Sequence, residues 1–332
     1  MGILYTWSNL KDAIEYSLDP VTGERIYAAW DITQLNAPYF IGGMVNGLVV
    51  AGFGLGAMWL GPLEVLLLKK MGFSLEQTLW TLGCLILVIG IPCALNVVDP
   101  PSGYVPPEPT RKKGKDIHKQ SPSVTLKTTA KTPQSWMLLV IYAFMCSAGA
   151  MVISNATDIM RIQTGGETGI YAVTVAAILA FMVPLTSLSN ATGRASGGIV
   201  SDKIGRKNTY LVSHAIAALN MLGFYFFFDS PALVVIGVIL ACFTYGSTLS
   251  ITPTIVADYF GLKNYGANYG LVYYGWGISL IIGPTISQVV KARTGNYDDS
   301  YLIAFGLIAV SAVLVALLKQ PKFKPEEIVD SE

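Results

Sequence analysis

The chain has 332 residues, of which 52% are hydrophobic and only 13% charged, and its formal net charge is +1. A water-soluble domain carries about twice that charged share, so most of this surface must face something other than water. So small a net charge gives no basic footprint for nucleic acid. The four cysteines (Cys84, Cys93, Cys146 and Cys242) lie in apolar stretches without paired spacing, and His118 and His214 stand far apart. No disulfide framework, metal site or cofactor is expected from them.

A membrane-crossing helix needs about 20 mostly apolar residues, because lipid offers its backbone no hydrogen-bond partner. Eight stretches meet that need: 40–60, 75–97, 135–154, 170–188, 210–228, 232–251, 269–289 and 301–318. The opening segment from Gly2 to Asn9 is too short to span, and it lacks the basic start and small-residue cleavage site of a signal peptide. The chain therefore divides into a leading segment (1–39), a two-span bundle (40–98), a connector (99–133), a six-span bundle (134–319) and a tail (320–332). The connector is rich in Pro, Lys, Ser and Thr and reads as flexible. It carries Arg111, Lys112, Lys113, Lys115, Lys119, Lys127 and Lys131. Alternating sides from there puts Lys203, Arg206, Lys207, Lys263 and the tail lysines on the same face, against Lys69, Lys70, Arg161, Lys291 and Arg293 on the other. The richer side is expected to be cytoplasmic, with the connector and the C-terminus there.

Two features point beyond a generic bundle. Gly47-Leu-Val-Val-Ala-Gly52-Phe-Gly54 and Gly270-Leu-Val-Tyr-Tyr-Gly275-Trp-Gly277 repeat Gly, Leu, Val, Gly, aromatic and Gly at equal offsets. After the fourth span comes Gly198-Ile-Val-Ser-Asp202-Lys203-Ile-Gly205-Arg206-Lys207. In that run Gly198 would let helices approach, Gly205 would turn the chain, Asp202 would accept from backbone N–H groups at a helix start, and Arg206 and Lys207 would hold the loop at the cytoplasmic face. A merely basic loop accounts for the charges but not for the glycines and the aspartate.

This run resembles the cytoplasmic loop signature of the major facilitator superfamily at every defined position. Within that superfamily the stretches Gly2–Trp7, Asn46–Gly56, Asn190–Lys207 and Ala257–Gly270 resemble the oxalate/formate antiporter family. The resemblance implies an all-α, polytopic membrane bundle of two halves. The C-terminal half would be complete with six helices. The N-terminal half would be incomplete, because about three helices of a family member have no counterpart near Phe40–Met44.

Arg194 precedes Asp202 by eight residues, so on a helix it lies about 12 Å from the loop, within the hydrocarbon zone. A cation there is by default a functional residue, and a guanidinium matches a carboxylate bidentately. The resemblance makes Arg194 a carboxylate-binding group, with Tyr245 and Tyr273 as aromatic walls and Tyr5 matching a tyrosine of the first helix. Oxalate-handling members add a lysine at the position occupied here by Trp276, so one cation favours a monocarboxylate such as formate, lactate or pyruvate over oxalate. Asn155 and Asn190 are polar within or beside spans, as substrate contacts or as interhelical hydrogen-bond formers. The expected function is secondary transport of a small organic anion by alternating access across the cell membrane, with no enzymatic chemistry. Its rival is a transport-inactive bundle that at most associates with other membrane proteins, unless self-association completes the missing wall.

Overall fold

The computed structural model describes residues 60, 62–64, 66–95, 122–166 and 170–329. The chain divides into two compact units, one containing a π-helical turn (Leu66–Lys70) and helix α1 (Leu75–Leu95), the other all later helices. The predicted span 40–60, the glycine-rich repeat copy at 47–54, Tyr5, His118 and most of the connector fall outside the described residues.

In the first unit the chain turns at Gly72, whose φ of +70° lies in the left-handed region that favours glycine. Ser74 and Gln77 then cap α1 reciprocally: the Ser74 backbone N–H donates to Gln77 Oε1 (2.9 Å) and the Gln77 N–H to Ser74 Oγ (3.2 Å). Beyond that cap α1 is apolar all round. Leu79, Trp80, Leu87 and Val88 are exposed, a surface suited to lipid rather than water.

The second unit holds the short α2 (Leu126–Lys131) and six long helices: α3 (Pro133–Gln163), α4 (Ala172–Ile204), α5 (Arg206–Phe226), α6 (Pro231–Phe260), α7 (Tyr265–Thr294) and α8 (Asp298–Leu317). Pro133 and Pro231 open α3 and α6, where a missing N–H removes no helical bond. Gly205 (φ +92°), Gly261 (φ +75°) and Gly295 (φ +80°) end α4, α6 and α7. Helices α1 and α3 to α8 coincide with the seven later predicted spans, but most are longer. The 31 residues of α3 reach about 46 Å at the α-helical rise, well past a hydrocarbon core about 30 Å thick. Apolar windows therefore find only the middle of such a helix.

By length and composition α1, α3, α5, α6 and α8 can cross a membrane, and α4 makes a sixth if its halves form one span. Those halves, Ala172–Leu179 and Phe181–Ile204, meet at 56°. The break lies four residues before Pro184, which cannot complete the helical bond to the carbonyl of Ala180. α7 does not pass the same test; its tyrosines, glycines and serines dilute its hydropathy.

Helix pairs are set by small residues. α3 packs mainly on α7, α4 on α6, and α5 on α8. Along α7, Gly275, Ser279, Gly283 and Ser287 are buried at four-residue intervals. A Cβ at Gly275 would run into the Leu139 carbonyl and one at Gly283 into that of Ser147, so α3 and α7 run side by side with backbones in contact. α4 and α6 meet likewise, at Gly193 against Phe243 O and at Gly246 against Asn190 O. Serine and threonine hydroxyls in the core bond back along their own helices, as Ser147 does to Ala143 O (2.7 Å) and Thr248 to Thr244 O (2.9 Å).

The connector read as flexible through residue 133 is folded at its C-terminal end. Val124 is fully buried; its N–H donates to Phe260 O (3.2 Å), and its carbonyl accepts from Asn264 Nδ2 (3.2 Å) and Asn268 Nδ2 (3.1 Å). It also forms an antiparallel bridge with Ile328 of the tail, where Val329 N–H donates to Ser123 O (2.9 Å). One valine in a polar run leaves no periodic signal, and its partners lie far along the chain.

Candidate functional site

The candidate site assembles on four helices of the second unit, α3, α4, α6 and α7. Arg194 on α4 is only 8% exposed, and its Nε donates to Asn190 Oδ1 (2.7 Å) one helical turn earlier. The guanidinium lies within electrostatic reach of Tyr245, Tyr142, Tyr273 and Cys146. Tyr245 comes from α6, packed so tightly on Gly149 of α3 that a Cβ there would stand 2.7 Å from its ring. Its hydroxyl accepts from Trp276 Nε1 (2.8 Å) on α7. Trp276 stacks on Tyr273, with centroids 5.0 Å apart and planes 21° from parallel. Tyr273 in turn meets Tyr142 of α3 (6.2 Å, tilted) and Tyr269 (5.3 Å), which stacks on Tyr265.

Arg194, Tyr245, Tyr273 and Trp276 are thus brought together. Tyr142 and Tyr269 join them without having been singled out in the sequence. Tyr269, Tyr273 and Trp276 stand at i, i+4 and i+7 on α7, one helical face, and that spacing was a usable signal. Tyr142 gave none, since a tyrosine in an apolar helix is indistinguishable from packing until its neighbours are known.

Asn155 lies elsewhere, about 20 Å along α3 from Tyr142 at 1.5 Å per residue. Its Nδ2 donates to Met151 O (2.8 Å) and Ser287 Oγ (2.9 Å), and its Oδ1 accepts from Gln288 Nε2 (2.7 Å) and Tyr297 Oη (3.2 Å). Next to it Asp158 accepts from Tyr297 Oη (2.5 Å) and pairs with Lys291. The Asn155 carboxamide is engaged by protein groups of α3, α7 and Tyr297, and it lies away from the Arg194 cluster.

The motif from Gly198 to Lys207 forms a separate polar cluster at the end of the bundle where α4 meets α5. Gly205 turns the chain as expected. Arg206 pairs with Asp202 and with Asp258 of α6 (3.2 Å) and donates to Ser201 Oγ (2.6 Å); Lys207 closes α8 by donating to Ala316 O (2.5 Å) and Leu318 O (3.1 Å). Lys203 is exposed. Two expectations need correction. Among the described residues nothing lies within 4 Å of a Cβ at Gly198, so the close approach is made by Gly197, where a Cβ would stand 2.6 Å from Ser247 Oγ. Asp202 sits one turn before Arg206, in register for the side-chain ion pair instead of a backbone cap. His214 is satisfied in the core, between Tyr210 O (2.7 Å) and Ser311 Oγ (2.8 Å). Among the described residues no group of acidic, histidine and cysteine side chains could hold a metal ion.

The pattern described as Major Facilitator Superfamily matches residues 42–229 and 176–332. Among curated proteins the chain is similar to an uncharacterized MFS-type transporter, YhjX, of Escherichia coli (27% identity; 72% of this chain, 55% of the relative). It is also similar to the oxalate:formate antiporter of Oxalobacter formigenes (23%; 97% and 76%) and to monocarboxylate transporter 13 of Bos taurus (25%; 45% and 37%). The chain therefore spans about half the length of the first relative and three quarters of the second. A solved structure of a bacterial homologue of the lysosomal transporter Spinster is similar at a TM-score of 0.42 and 15% identity, over 86% of this chain and 68% of that one. With its apolar helical bundle and the complete loop motif, this multi-pass membrane chain belongs to the Major Facilitator Superfamily, and its likeness to the oxalate:formate antiporter runs along nearly its whole length.

Proposed function

We propose that this chain carries small carboxylates, with the Arg194 guanidinium binding the carboxylate of a monocarboxylate substrate. The observation that carries this reading is a cation held 8% exposed in a membrane helix, within electrostatic reach of tyrosines from α3, α6 and α7. A buried guanidinium in lipid is costly unless it works, and its planar fork fits a carboxylate. The printed names of two relatives, an oxalate:formate antiporter and a monocarboxylate transporter, point to the same substrate class. Trp276 occupies the position at which the family resemblance implies a second cation, and its N–H is engaged by Tyr245. A single positive group suits one carboxylate better than the two of oxalate. The motif end, with residues 99–133 and the tail, is taken as the cytoplasmic side, and transport as alternating access.

The test is uptake of labelled formate, lactate, pyruvate and oxalate into proteoliposomes. Monocarboxylate uptake is expected to exceed oxalate uptake and to fall about 100-fold in Arg194→Ala, the scale of a lost charged contact. Uptake unchanged by that substitution removes Arg194 from the mechanism.

A further inference from the structure

At the motif end, where the start of α3 meets the tail, a cleft of about 230 Å³ opens among Thr128, Lys131, Gln134, Lys322, Phe323 and Glu327. Lys131 ends α2, Lys322 lies just past the end of α8, and both are exposed. Neither ammonium has an ion pair among the described residues. The described acids of this end are engaged elsewhere: Asp202 and Asp258 with Arg206, and Glu326 with Lys324 (3.8 Å). Glu327 accepts from the Lys324 backbone N–H (2.8 Å). Two ammonium groups against the one Glu327 carboxylate leave the cleft a net charge of +1.

The level of the cleft follows from its neighbours. The apolar stretch of α3 starts at Ser135 and that of α8 ends at Leu318, so Lys131 and Lys322 each stand four residues outside it, at headgroup depth. Leu126 (44% exposed) and Trp136 (50% exposed) flank the same end. The Trp136 indole N–H is taken up by Ala130 O (2.8 Å), which leaves the ring for the lipid interface, where tryptophan is favoured. We propose that this cleft binds the headgroup of an anionic phospholipid, with its phosphodiester between Lys131 and Lys322 and its acyl chains passing Trp136. Lysines are point-charge partners for phosphate, and basic pockets at a membrane surface take such headgroups. A net charge of +1 suits a singly charged phosphodiester. The lipid joins α2 to the tail, two segments already linked by the bridge between Val124 and Ile328. This inference stands apart from the carboxylate reading and needs no transport to be tested.

The experiment labels the full chain in detergent with photoreactive phosphatidylglycerol, against unlabelled phosphatidylglycerol, phosphatidylcholine or inorganic phosphate, and maps the crosslinked peptides. Crosslinks are expected in residues 126–136 and 319–327, displaced by phosphatidylglycerol at least ten-fold better than by phosphatidylcholine. Each lysine near the surface is worth about five-fold in affinity. Lys131→Gln and Lys322→Gln should therefore each weaken labelling about five-fold, and the pair of changes about 30-fold, while Lys131→Arg keeps it within about two-fold. Lys70→Gln with Arg293→Gln removes the same charge away from the cleft and should change labelling less than about two-fold. Each variant is compared with the wild type by its elution from size exclusion, and the single changes at exposed lysines keep the test readable if the double one does not fold. Equal displacement by phosphatidylcholine overturns the proposal, because the contact is then that of any surrounding lipid. Displacement by inorganic phosphate as effective as by phosphatidylglycerol overturns it in favour of a soluble anion. Labelling that falls as far in the remote pair as in the cleft variants reduces the effect to net charge and overturns it too.

Discussion

At the motif end of the bundle charge is matched by charge or by carbonyls, with Arg206 set between Asp202 and Asp258 and Lys207 on the last turn of α8. At the opposite end Asp158, Lys291, Tyr297 and Asn155 close on one another in the same way. Midway between them Arg194 lies within electrostatic reach of Tyr142, Tyr245 and Tyr273, contributed by three other helices. The ends tie helices together through ion pairs and carbonyls, whereas the middle sets one guanidinium among aromatic side chains. In a membrane bundle, where buried polar groups are costly unless engaged, that contrast is the one the proposed function draws on.

The comparison can be broken first at the scaffold. Gly283→Leu would drive a side chain into the Ser147 carbonyl at the α3–α7 contact, and its cost is expected to exceed about 4 kcal/mol, enough to lose the folded bundle. Size-exclusion profiles in detergent would show aggregate in place of a single peak, and a normal profile would mean that α3 and α7 are not in backbone contact. The second effect is expected at the motif end. Arg206→Ala removes the donor that Asp202, Asp258 and Ser201 share and should cost about 2–3 kcal/mol, read as a lower unfolding temperature. Substrate preference in that variant should be unchanged; a changed preference would mean that the motif end and the middle are not distinct.

Smaller effects sharpen the picture. The Asp158–Lys291 pair is one-third exposed on both sides, so Lys291→Met should cost no more than about 1 kcal/mol. A loss several times larger would mark that end as more than a tie between helices. The smallest change is expected at Gly198→Ala. With nothing within 4 Å of its Cβ position among the described residues, and alanine the better helix former, the protein should be unchanged or more stable by up to about 1 kcal/mol. A clear destabilisation there would reinstate the close approach that the motif suggested.

Much of the architecture was legible because it is written locally. Apolar runs located α1 and α3 to α8, and Gly205 announced a turn that only glycine makes easily. The site was only partly legible. Arg194 stood out because charge in an apolar helix is rare, whereas Asn155 stood out only as a neutral polar group, and its carboxamide bonds across to α7. Val124 was hidden in a polar run, and its bonds to Phe260, Asn264 and Asn268 span more than a hundred residues of chain.

The sequence alone determined that this is a helical membrane chain, where its turns fall, and that one arginine lies deep in a span, since each follows from hydropathy and backbone preferences acting within a few residues. Only the tertiary structure decided which polar and aromatic groups meet one another. That depends on side chains from α3, α4, α6 and α7 meeting at one level, and no pattern within a single helix records what the next helix brings to it.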